Sequence, residues 1–292
     1  MTHTPLTHTL ANHTLPYAIN CSILFTELPL LQRPAAAKAA GFDAVEFWWP
    51  FGEPVPADRD ADAFVAAMRD AGVALVGLNF AAGDMPAGDR GLVSWPERSA
   101  QFRDNVDVTV GIGEQLGCRA FNALYGNRVD GVPTEEQHRL GSENLAVAAR
   151  AAERIGGTVL VEPVSGAERY PLLTAADALA VIEQVRDESG QANLGLLADL
   201  YHLAVNGDDV DSVIADHAGV PGRIAHVQIA DHPGRHEPGT GQLPLDAQLA
   251  ALQQAGYTGW VALEYKPSPQ SGGTENSLRW LPRERRGSAH VG

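Results

Sequence analysis

Cysteine is scarce in this chain of 292 residues, which contains only Cys21 and Cys118. Two cysteines cannot form the disulfide framework that stabilises small secreted domains, and their separation does not match a zinc-binding knuckle. The 45% of hydrophobic residues is ample for a packed core without covalent cross-links. The sequence therefore predicts a protein of a reducing compartment.

Positive charge is scarce as well, because 21 lysine and arginine residues are set against 36 aspartate and glutamate residues. The formal net charge is −15 with histidine neutral. A surface of this sign repels the phosphate backbone of nucleic acids and anionic lipids. We therefore expect a small-molecule substrate and neither nucleic acid nor a membrane as a partner. A homo-oligomer is compatible with the sequence.

Long apolar runs are also missing, and none approaches the length that spans a membrane. The N-terminal segment MTHTPLTHTLANHTLP has neither the basic nor the apolar region of a signal peptide, so we expect a cytoplasmic protein. His3, His8 and His13 recur there every five residues, which suits a metal-binding tail. A mobile polar terminus is the more common outcome, and we predict a flexible tail over residues 1–15.

Eight short apolar stretches with β-strand character alternate with Ala-rich stretches of helical spacing. The strand candidates are 17–23, 44–49, 74–80, 119–125, 158–164, 194–203, 223–230 and 259–265. The helix candidates are 29–40, 61–71, 96–116, 134–155, 174–189, 208–218, 243–255 and a weaker one at 274–284. This alternation predicts an α/β fold with a parallel sheet.

Eight βα units in a chain of this length fit a single (β/α)₈ TIM barrel better than two domains. We predict the barrel over residues 16–285 and a flexible C-terminal tail over residues 286–292. The alternative is an open doubly wound sheet, but no G-x-G-x-x-G motif follows the first strand.

Residues typical of helix ends mark most of these units. Thr134 stands before acidic residues, and Thr174 has Asp177 three residues on, so both threonines are N-cap candidates. Glycine tolerates the left-handed conformation that closes a helix. Seven helix candidates end at a glycine, namely Gly41, Gly72, Gly117, Gly156, Gly190, Gly219 and Gly256.

Four polar residues interrupt the apolar ends of strands five to eight: Glu162, Asp199, Gln228 and Glu264. Their separations of 37, 29 and 36 residues are each about one βα unit. In a barrel of this kind the C-terminal strand ends converge on one face. Any one of these residues, taken alone, fits a strand-end side chain that hydrogen-bonds to backbone or solvent. Four of them, one on each of four consecutive strands, predict a common site.

A carboxylate in an apolar strand is costly to bury unless it is paired or coordinates a cation. Three carboxylates and an amide oxygen form a hard, all-oxygen ligand set. The pattern therefore predicts a divalent metal, Mg²⁺ or Mn²⁺, as the cofactor.

Other polar residues lie beside these four. His202 follows Asp199 by three residues, and His226 has the strand parity of Gln228, so both can point inward. Arg235, in the loop ADHPGRHEPGTGQ, is one of few cations available to hold an anionic substrate, with Lys266 as its competitor. His226 also fits a hydrogen-bonded interior histidine, and Arg235 a solvated loop charge.

Three further residues are weaker candidates for the barrel mouth. Glu46 stands beside Trp48 and Trp49 in AVEFWWPF, and these aromatic residues fit the wall or core equally well. Asn79 ends the third strand and Asn122 lies in the fourth, where each amide is available to the pocket.

The chain resembles the hydroxypyruvate isomerase family, within the wider group of metal-dependent sugar isomerases and epimerases. The resemblance covers residues 15–267 and is most specific between His226 and Gly241. The matching segments are YAINCSILFTELPLLQRPAAAKAAGFDAVEFWWPF, LVEPV, ADLYHL, HVQIADHPGRHEPGTGQ and GYTGWVALEYKP. The loop GAERYPLL after strand five departs from the family pattern.

The resemblance implies that Glu162 and Glu264 are catalytic proton-transfer groups as well as metal ligands, and that Asp199 and Gln228 complete the metal shell. Ketose epimerases of the group have a histidine where this chain has Gln228. Their substrate-contacting residues are similar to His202, Arg235 and Glu168 of this sequence, and the departing loop bears on Glu168.

The reaction that the resemblance implies is isomerisation of hydroxypyruvate to tartronate semialdehyde through a cis-enediolate. A ketose 3-epimerase and a 2-oxo-tetronate isomerase remain alternatives, because the same metal and glutamates serve them. A non-catalytic binding or regulatory subunit is a third alternative. An abasic-site endonuclease needs a His-rich, multi-zinc site and a basic surface, which the charge of −15 disfavours.

Overall fold

A computed structural model describes residues 13–287, and its centre is a closed barrel of eight parallel strands in sequence order. Strand β1 pairs with both β2 and β8, which closes the barrel. The strands, β1 to β8 in chain order, are Tyr17–Asn20, Ala44–Phe47, Ala74–Asn79, Ala120–Asn122, Thr158–Val161, Leu194–Asp199, Ile224–Ile229 and Val261–Leu263. The prediction of a single TIM barrel is confirmed.

Helices surround the strands. In chain order the α-helices α1 to α9 are Arg33–Ala39, Asp58–Ala71, Ser99–Leu116, Thr134–Glu153, Ala175–Ser189, Leu200–Val205, Val210–His217, Leu245–Gln254 and Thr274–Ser277. Short 3-10 turns lie at Leu30–Gln32, Pro96–Arg98 and Arg283–Arg285. Within residues 13–287, no helix combines the length and apolar character that crossing a membrane requires.

The sixth strand ends earlier than the sequence predicted. The apolar run 194–203 was expected to be one strand, but β6 ends at Asp199 and the chain turns at once into α6. The cause is Asp199 itself, whose Oδ1 accepts hydrogen bonds from the backbone N–H groups of Tyr201 and His202. This N-cap begins the helix and brings His202 to the barrel mouth.

The helix ends follow the sequence in part. Thr174 forms the expected capping box with Asp177 before α5. Thr134 does not cap α4, because Pro133 occupies the N-cap position and no side chain bonds there. The weak helix at 274–284 is reduced to the four residues of α9 and a 3-10 turn.

The described ends of the chain pack on the barrel. His13 is 3% exposed and its carbonyl accepts a hydrogen bond from Arg285, while Thr14 bonds to Gln253. Arg286 donates to the carbonyls of Ala40 and Leu278. The expected tail boundaries therefore shift, since residues 13–15 and 286 belong to the packed body, while His3 and His8 lie outside the described residues.

Candidate metal centre

Three carboxylates meet at the C-terminal mouth of the barrel. Glu162 directly follows β5, Asp199 is the last residue of β6, and Glu264 directly follows β8. With His202, each offers one ligand atom, and these atoms lie within 4.8 Å of one another. All four residues are buried. The one-per-strand spacing in the sequence thus corresponds to a cluster in space.

Gln228 lies beside this cluster, because the register of β6 and β7 pairs it with Asp199. Its Nε2 donates to Oε1 of Glu46 at 2.7 Å, so its amide oxygen is on the other branch of the side chain. That oxygen and Oδ2 of Asp199 are buried, and neither has a hydrogen-bond partner in the described part of the chain. Partnerless buried oxygens beside two further carboxylates fit a hard divalent cation.

The cluster carries more negative charge than its surroundings stabilise. Burial raises the pKa of Glu162 to about 8, and the neighbouring Asp199 adds to this shift. Burial also raises the pKa of Glu264 well above its ordinary value, although Arg235 opposes the effect. Neighbouring carboxyl groups with raised pKa values are typical of a site that binds a cation.

Arg235 supplies one positive charge to the cluster. Its Nη2 hydrogen-bonds to Oε1 of Glu264 and lies 3.7 Å from Oδ2 of Asp199. Its guanidinium also stacks over the ring of Tyr201, with 5.6 Å between the guanidinium carbon and the ring centroid. The predicted anion-binding arginine is therefore paired with two of the predicted metal ligands.

The hydrogen bonds of His202 determine which ring nitrogen carries its proton. Nδ1 lies 3.0 Å from the backbone nitrogen of Ser165, which can only donate, so Nδ1 accepts. Burial lowers the pKa of His202 to about 4, so the ring is neutral and its proton is on Nε2. Nε2 lies 3.5 Å from Asp199 and 4.0 Å from Glu162. The N–H of His202 thus lies near both carboxylates without a hydrogen bond to either one.

A second group of polar side chains lies inside the barrel against this cluster; we call Glu46, Asn20, His226 and Gln228 the Glu46 network. Asn20, at 2.8 Å, and Gln228 both donate to Oε1 of Glu46, and Nε2 of His226 lies 2.7 Å from Oε2. Asn20 also donates to Oε2 of Glu264 at 2.9 Å. The network therefore joins the cluster through Gln228 and Asn20.

A cavity of about 270 Å³ opens onto the cluster. Among the predicted site residues it is lined by Glu162, Glu264, His202, Arg235 and Lys266, and also by Asn79. Two predicted substrate-binding residues do not line it. His226 bonds to Glu46 below the mouth, and Glu168 is exposed in the loop after β5. A substrate contact of these two residues stays a prediction.

Sequence reasoning missed several side chains at the mouth. Arg90 and Ser165 line the cavity, and Asn20 bridges two carboxylates. Asn122, a weak candidate, donates to Oε2 of Glu162 at 2.6 Å, and Trp48 donates to Glu264 at 3.3 Å. Asn20 could have been found in the sequence by the feature that identified Glu162, since each is a polar residue at the end of an apolar strand.

A second cavity of about 600 Å³ adjoins the first. The two share Trp48, Asn79, Met85 and Pro86 in their walls. The larger one extends along an aromatic wall that includes Trp49. The mouth is therefore longer than a three-carbon substrate requires.

The model of the xylose isomerase-like TIM barrel family matches residues 34–284. The chain belongs to this family. It is 54% identical over 270 residues to a putative hydroxypyruvate isomerase from Streptomyces coelicolor, a match that covers 91% of this chain and 95% of the relative. It is 35% identical over 269 residues to a 2-oxo-tetronate isomerase from Cupriavidus necator, with coverages of 91% and 96%.

Among solved structures, the crystal structure of an AP endonuclease of family 2 from Brucella melitensis superimposes with a TM-score of 0.80. That protein is 33% identical, and the match covers 91% of this chain and 98% of the other. The resemblance to the hydroxypyruvate isomerase family is confirmed by the relatives, and the chain is an isomerase.

Proposed function

We propose that this protein is a metal-dependent isomerase of a small hydroxy-oxo acid and that it converts hydroxypyruvate to tartronate semialdehyde. The observation that carries the proposal is the buried cluster of Glu162, Asp199 and Glu264 with partnerless oxygens on Asp199 and Gln228. Mg²⁺ and Mn²⁺ are the ions that this oxygen set favours. The name of the Streptomyces relative supports the substrate.

Glu162 and Glu264 transfer the protons in this proposal. They follow β5 and β8, which lie three strands apart in an eight-stranded barrel, so the two carboxyl groups approach a bound substrate from different sides. One glutamate removes a proton from the hydroxymethyl carbon, and the other delivers a proton to the former carbonyl carbon of the cis-enediolate. The hydroxyl proton passes from the oxygen of the first carbon, which becomes the aldehyde, to the oxygen of the second, which becomes the hydroxyl group. A divalent ion, when bound, stabilises negative charge on substrate oxygens and favours ionised carboxyl groups.

Two other side chains support these proton transfers, one through the substrate and one through Glu264. His202, with its proton on Nε2, donates a hydrogen bond and is too weak a base to take part as a cation at neutral pH. Arg235 stabilises Glu264 in its ionised form, the form that can accept a proton. Each positioned acid or base contributes about 10²–10⁴ in rate.

A 2-oxo-tetronate is the second candidate substrate. The observation in its favour is the larger cavity beside the mouth, which leaves room for an additional carbon, and the name of the Cupriavidus relative agrees with it. A ketose 3-epimerase uses the same groups. Endonuclease activity is disfavoured because the net charge is −15 and the cluster contains a single histidine. A non-catalytic subunit would not need paired proton-transfer groups.

The deciding experiment is a turnover screen of the protein loaded with Mn²⁺ or Mg²⁺ against hydroxypyruvate, 2-oxo-tetronates and common ketoses. We expect the greatest kcat/KM with hydroxypyruvate and loss of activity in EDTA. Greater activity on a four-carbon acid would change the substrate, and activity on none of these compounds would contradict the proposal. A cytoplasmic location, a homo-oligomer and the absence of nucleic acid partners remain predictions.

A further inference from the structure

The mouth of the barrel contains a second arginine that the cluster does not use. Arg90 lies in the loop between β3 and the 3-10 turn at residue 96, and its side chain lines the 270 Å³ cavity beside Glu162, His202 and Glu264. It forms no ion pair with any carboxylate of residues 13–287. In a chain with a net charge of −15, a half-buried arginine in a cavity that two carboxylates line, without an acidic partner among the described residues, requires an explanation.

The position of Arg90 is fixed by main-chain groups. Its Nη1 donates to the carbonyls of Met85 at 3.0 Å and Asp89 at 2.6 Å. Its own carbonyl accepts from the backbone nitrogen of Gly126. The following Gly91 has φ of 113°, and a Cβ there would lie 1.9 Å from the carbonyl oxygen of Leu124. The backbone is therefore held close to the β4 loop, which only glycine permits.

These contacts leave part of the guanidinium free. Nη1 is satisfied, whereas Nε and Nη2 have no hydrogen-bond partner among the residues that the structure describes. A guanidinium held in this way presents two N–H groups in one plane, the geometry that matches a carboxylate. Lys266, which also lines the cavity, is exposed, and its ammonium group has no hydrogen bond within residues 13–287.

The charges at the mouth give a second, independent argument. The three carboxylates of the cluster, one divalent ion and Arg235 together carry no net charge. Arg235 is paired with Glu264 and lies near Asp199, so it balances the ligands rather than the substrate. An acid substrate brings a further negative charge to a cavity that Glu162 and Glu264 already line, and placing it there away from water requires a cation. Arg90 and Lys266 both line the cavity, and of the two only Arg90 is fixed by side-chain hydrogen bonds to the described residues.

We propose that Arg90 binds the carboxylate of the substrate and that this contact makes the enzyme selective for 2-oxo acids over neutral ketoses. The inference rests on the proposed function and deepens it, because it assigns the acid group of the substrate to a residue outside the metal cluster. The carboxylate lies against Nε and Nη2 of Arg90, and the oxo and hydroxyl groups face Glu162 and Glu264.

The test compares an acid ligand with a neutral one of the same size. Glycerate keeps the carboxylate of hydroxypyruvate but has no oxo group, so its dissociation constant can be measured by calorimetry on the Mn²⁺-loaded protein whether or not hydroxypyruvate is turned over. Dihydroxyacetone replaces the carboxylate by a hydroxymethyl group and tests neutral substrates. The variants are Arg90→Met, Arg90→Lys and Lys266→Met, with Arg139→Met as a control of equal charge change on an exposed helix position.

We expect Arg90→Met to weaken glycerate binding roughly 10- to 100-fold, the range for a lost hydrogen bond to a charged group. Binding or turnover of dihydroxyacetone should change by less than about twofold, since it makes no such bond. Arg90→Lys should retain part of the affinity, because it keeps the positive charge but loses the planar pair of donors. Arg139→Met should have no effect.

Three results would overturn the proposal. Unchanged glycerate affinity in Arg90→Met would mean that the carboxylate lies elsewhere. An equal loss for glycerate and dihydroxyacetone would mean that Arg90 only supports the loop. A loss in Lys266→Met that matches or exceeds the loss in Arg90→Met would assign the acid group to Lys266. Absence of hydroxypyruvate turnover in the wild type, with glycerate binding that still depends on Arg90, would contradict the proposed reaction alone.

Discussion

Glu46 and the carboxylates of the metal-site cluster lie next to each other inside this barrel. They are buried to a similar extent, but their neighbours differ. Glu46 is 3% exposed, as is Glu264, and Glu162 is 4% exposed. Glu46 has three nitrogen partners, from Asn20, His226 and Gln228. The carboxylates of the cluster lie close to one another, and Oδ2 of Asp199 has no hydrogen-bond partner in the described chain.

The difference shows that the closeness of other carboxylates, rather than burial, separates a structural carboxylate from one that serves a ligand. Burying a charge is costly unless donors or an opposite charge replace its water. The Glu46 network provides those donors within the chain. Glu264 of the cluster also receives donors, from Asn20, Trp48 and Arg235, but the cluster carboxylates lie within 4.8 Å of one another. Burial and this mutual repulsion raise the pKa of Glu162 and of Glu264. Variants that remove the carboxylate of Glu46 or of a cluster residue test this distinction.

The largest expected effect concerns catalysis. Glu162→Gln and Glu264→Gln should each reduce kcat about 10²–10⁴-fold, because the amide retains an oxygen ligand but cannot accept a proton. Exchange of the substrate's carbon-bound hydrogen with solvent deuterium, measured in excess Mn²⁺, is the direct readout. Persistent exchange in either variant would remove that glutamate from the proton-transfer role. Recovery at higher Mn²⁺ would assign the defect to metal binding instead.

The second prediction concerns stability and compares the same substitution in both groups. Glu46→Leu should lower the free energy of unfolding by about 3–5 kcal/mol, because the nitrogen donors of His226 and Gln228 lose their acceptor inside the barrel. Glu162→Leu in metal-free protein should cost far less, because it also removes repulsion from Asp199. Urea unfolding in EDTA measures both. Equal losses would show that the two carboxylates are structurally alike.

Much of this arrangement was predictable from the sequence, and the reason is local. Glu162, Asp199 and Glu264 interrupt apolar strand ends at a repeat of one βα unit, and the barrel converts that repeat into proximity. The end of β6 was not predictable, because the apolar run after Asp199 fits a strand or a helix equally well.

The residues that the sequence did not reveal depend on long-range contacts. Arg90 lies in a loop, and its direction is set by backbone bonds to Met85, Asp89 and Gly126. Glu168 has the spacing of a family residue, but the loop after β5 leaves it exposed. Loop conformation is not encoded in hydrophobic periodicity, so neither outcome could be read from spacing.

The third prediction is a dependence of stability on pH in metal-free protein. Burial raises the pKa of Glu162 from 4.5 to about 8 in the folded state. Between these values the folded state binds more protons than the unfolded state, so stability falls as pH rises. The slope contributed by one group is at most about 1.4 kcal/mol per pH unit. This loss of stability is complete at pH values above the pKa of the folded state and absent at pH values below the pKa of the unfolded state.

Urea midpoints in EDTA at about pH 5.5 and about pH 7.5 lie within this interval. Glu162→Gln should lose part of the fall in stability, and saturating Mn²⁺ should remove it in the wild type. Glu46→Leu should retain it at lower overall stability. A wild-type protein whose stability rises across this interval would show that the cluster is not strained by its charge.

The smallest effect is expected at Gln228, which belongs to both groups. Its Nε2 donates to Glu46, and its Oε1 is buried without a partner in the described structure. Gln228→Met removes both functions at similar volume, so we expect the Mn²⁺ dissociation constant to rise roughly tenfold, as for the loss of a neutral group at a metal site. The metal-free protein should lose about 1 kcal/mol for the hydrogen bond to Glu46. Titration with Mn²⁺ and urea unfolding separate the two losses.

Glu46→Leu is the matched comparison, since it removes the bond but keeps the amide oxygen. A Gln228→Met protein that binds Mn²⁺ normally but unfolds more easily would place Gln228 in the Glu46 network alone and leave the metal to the three carboxylates.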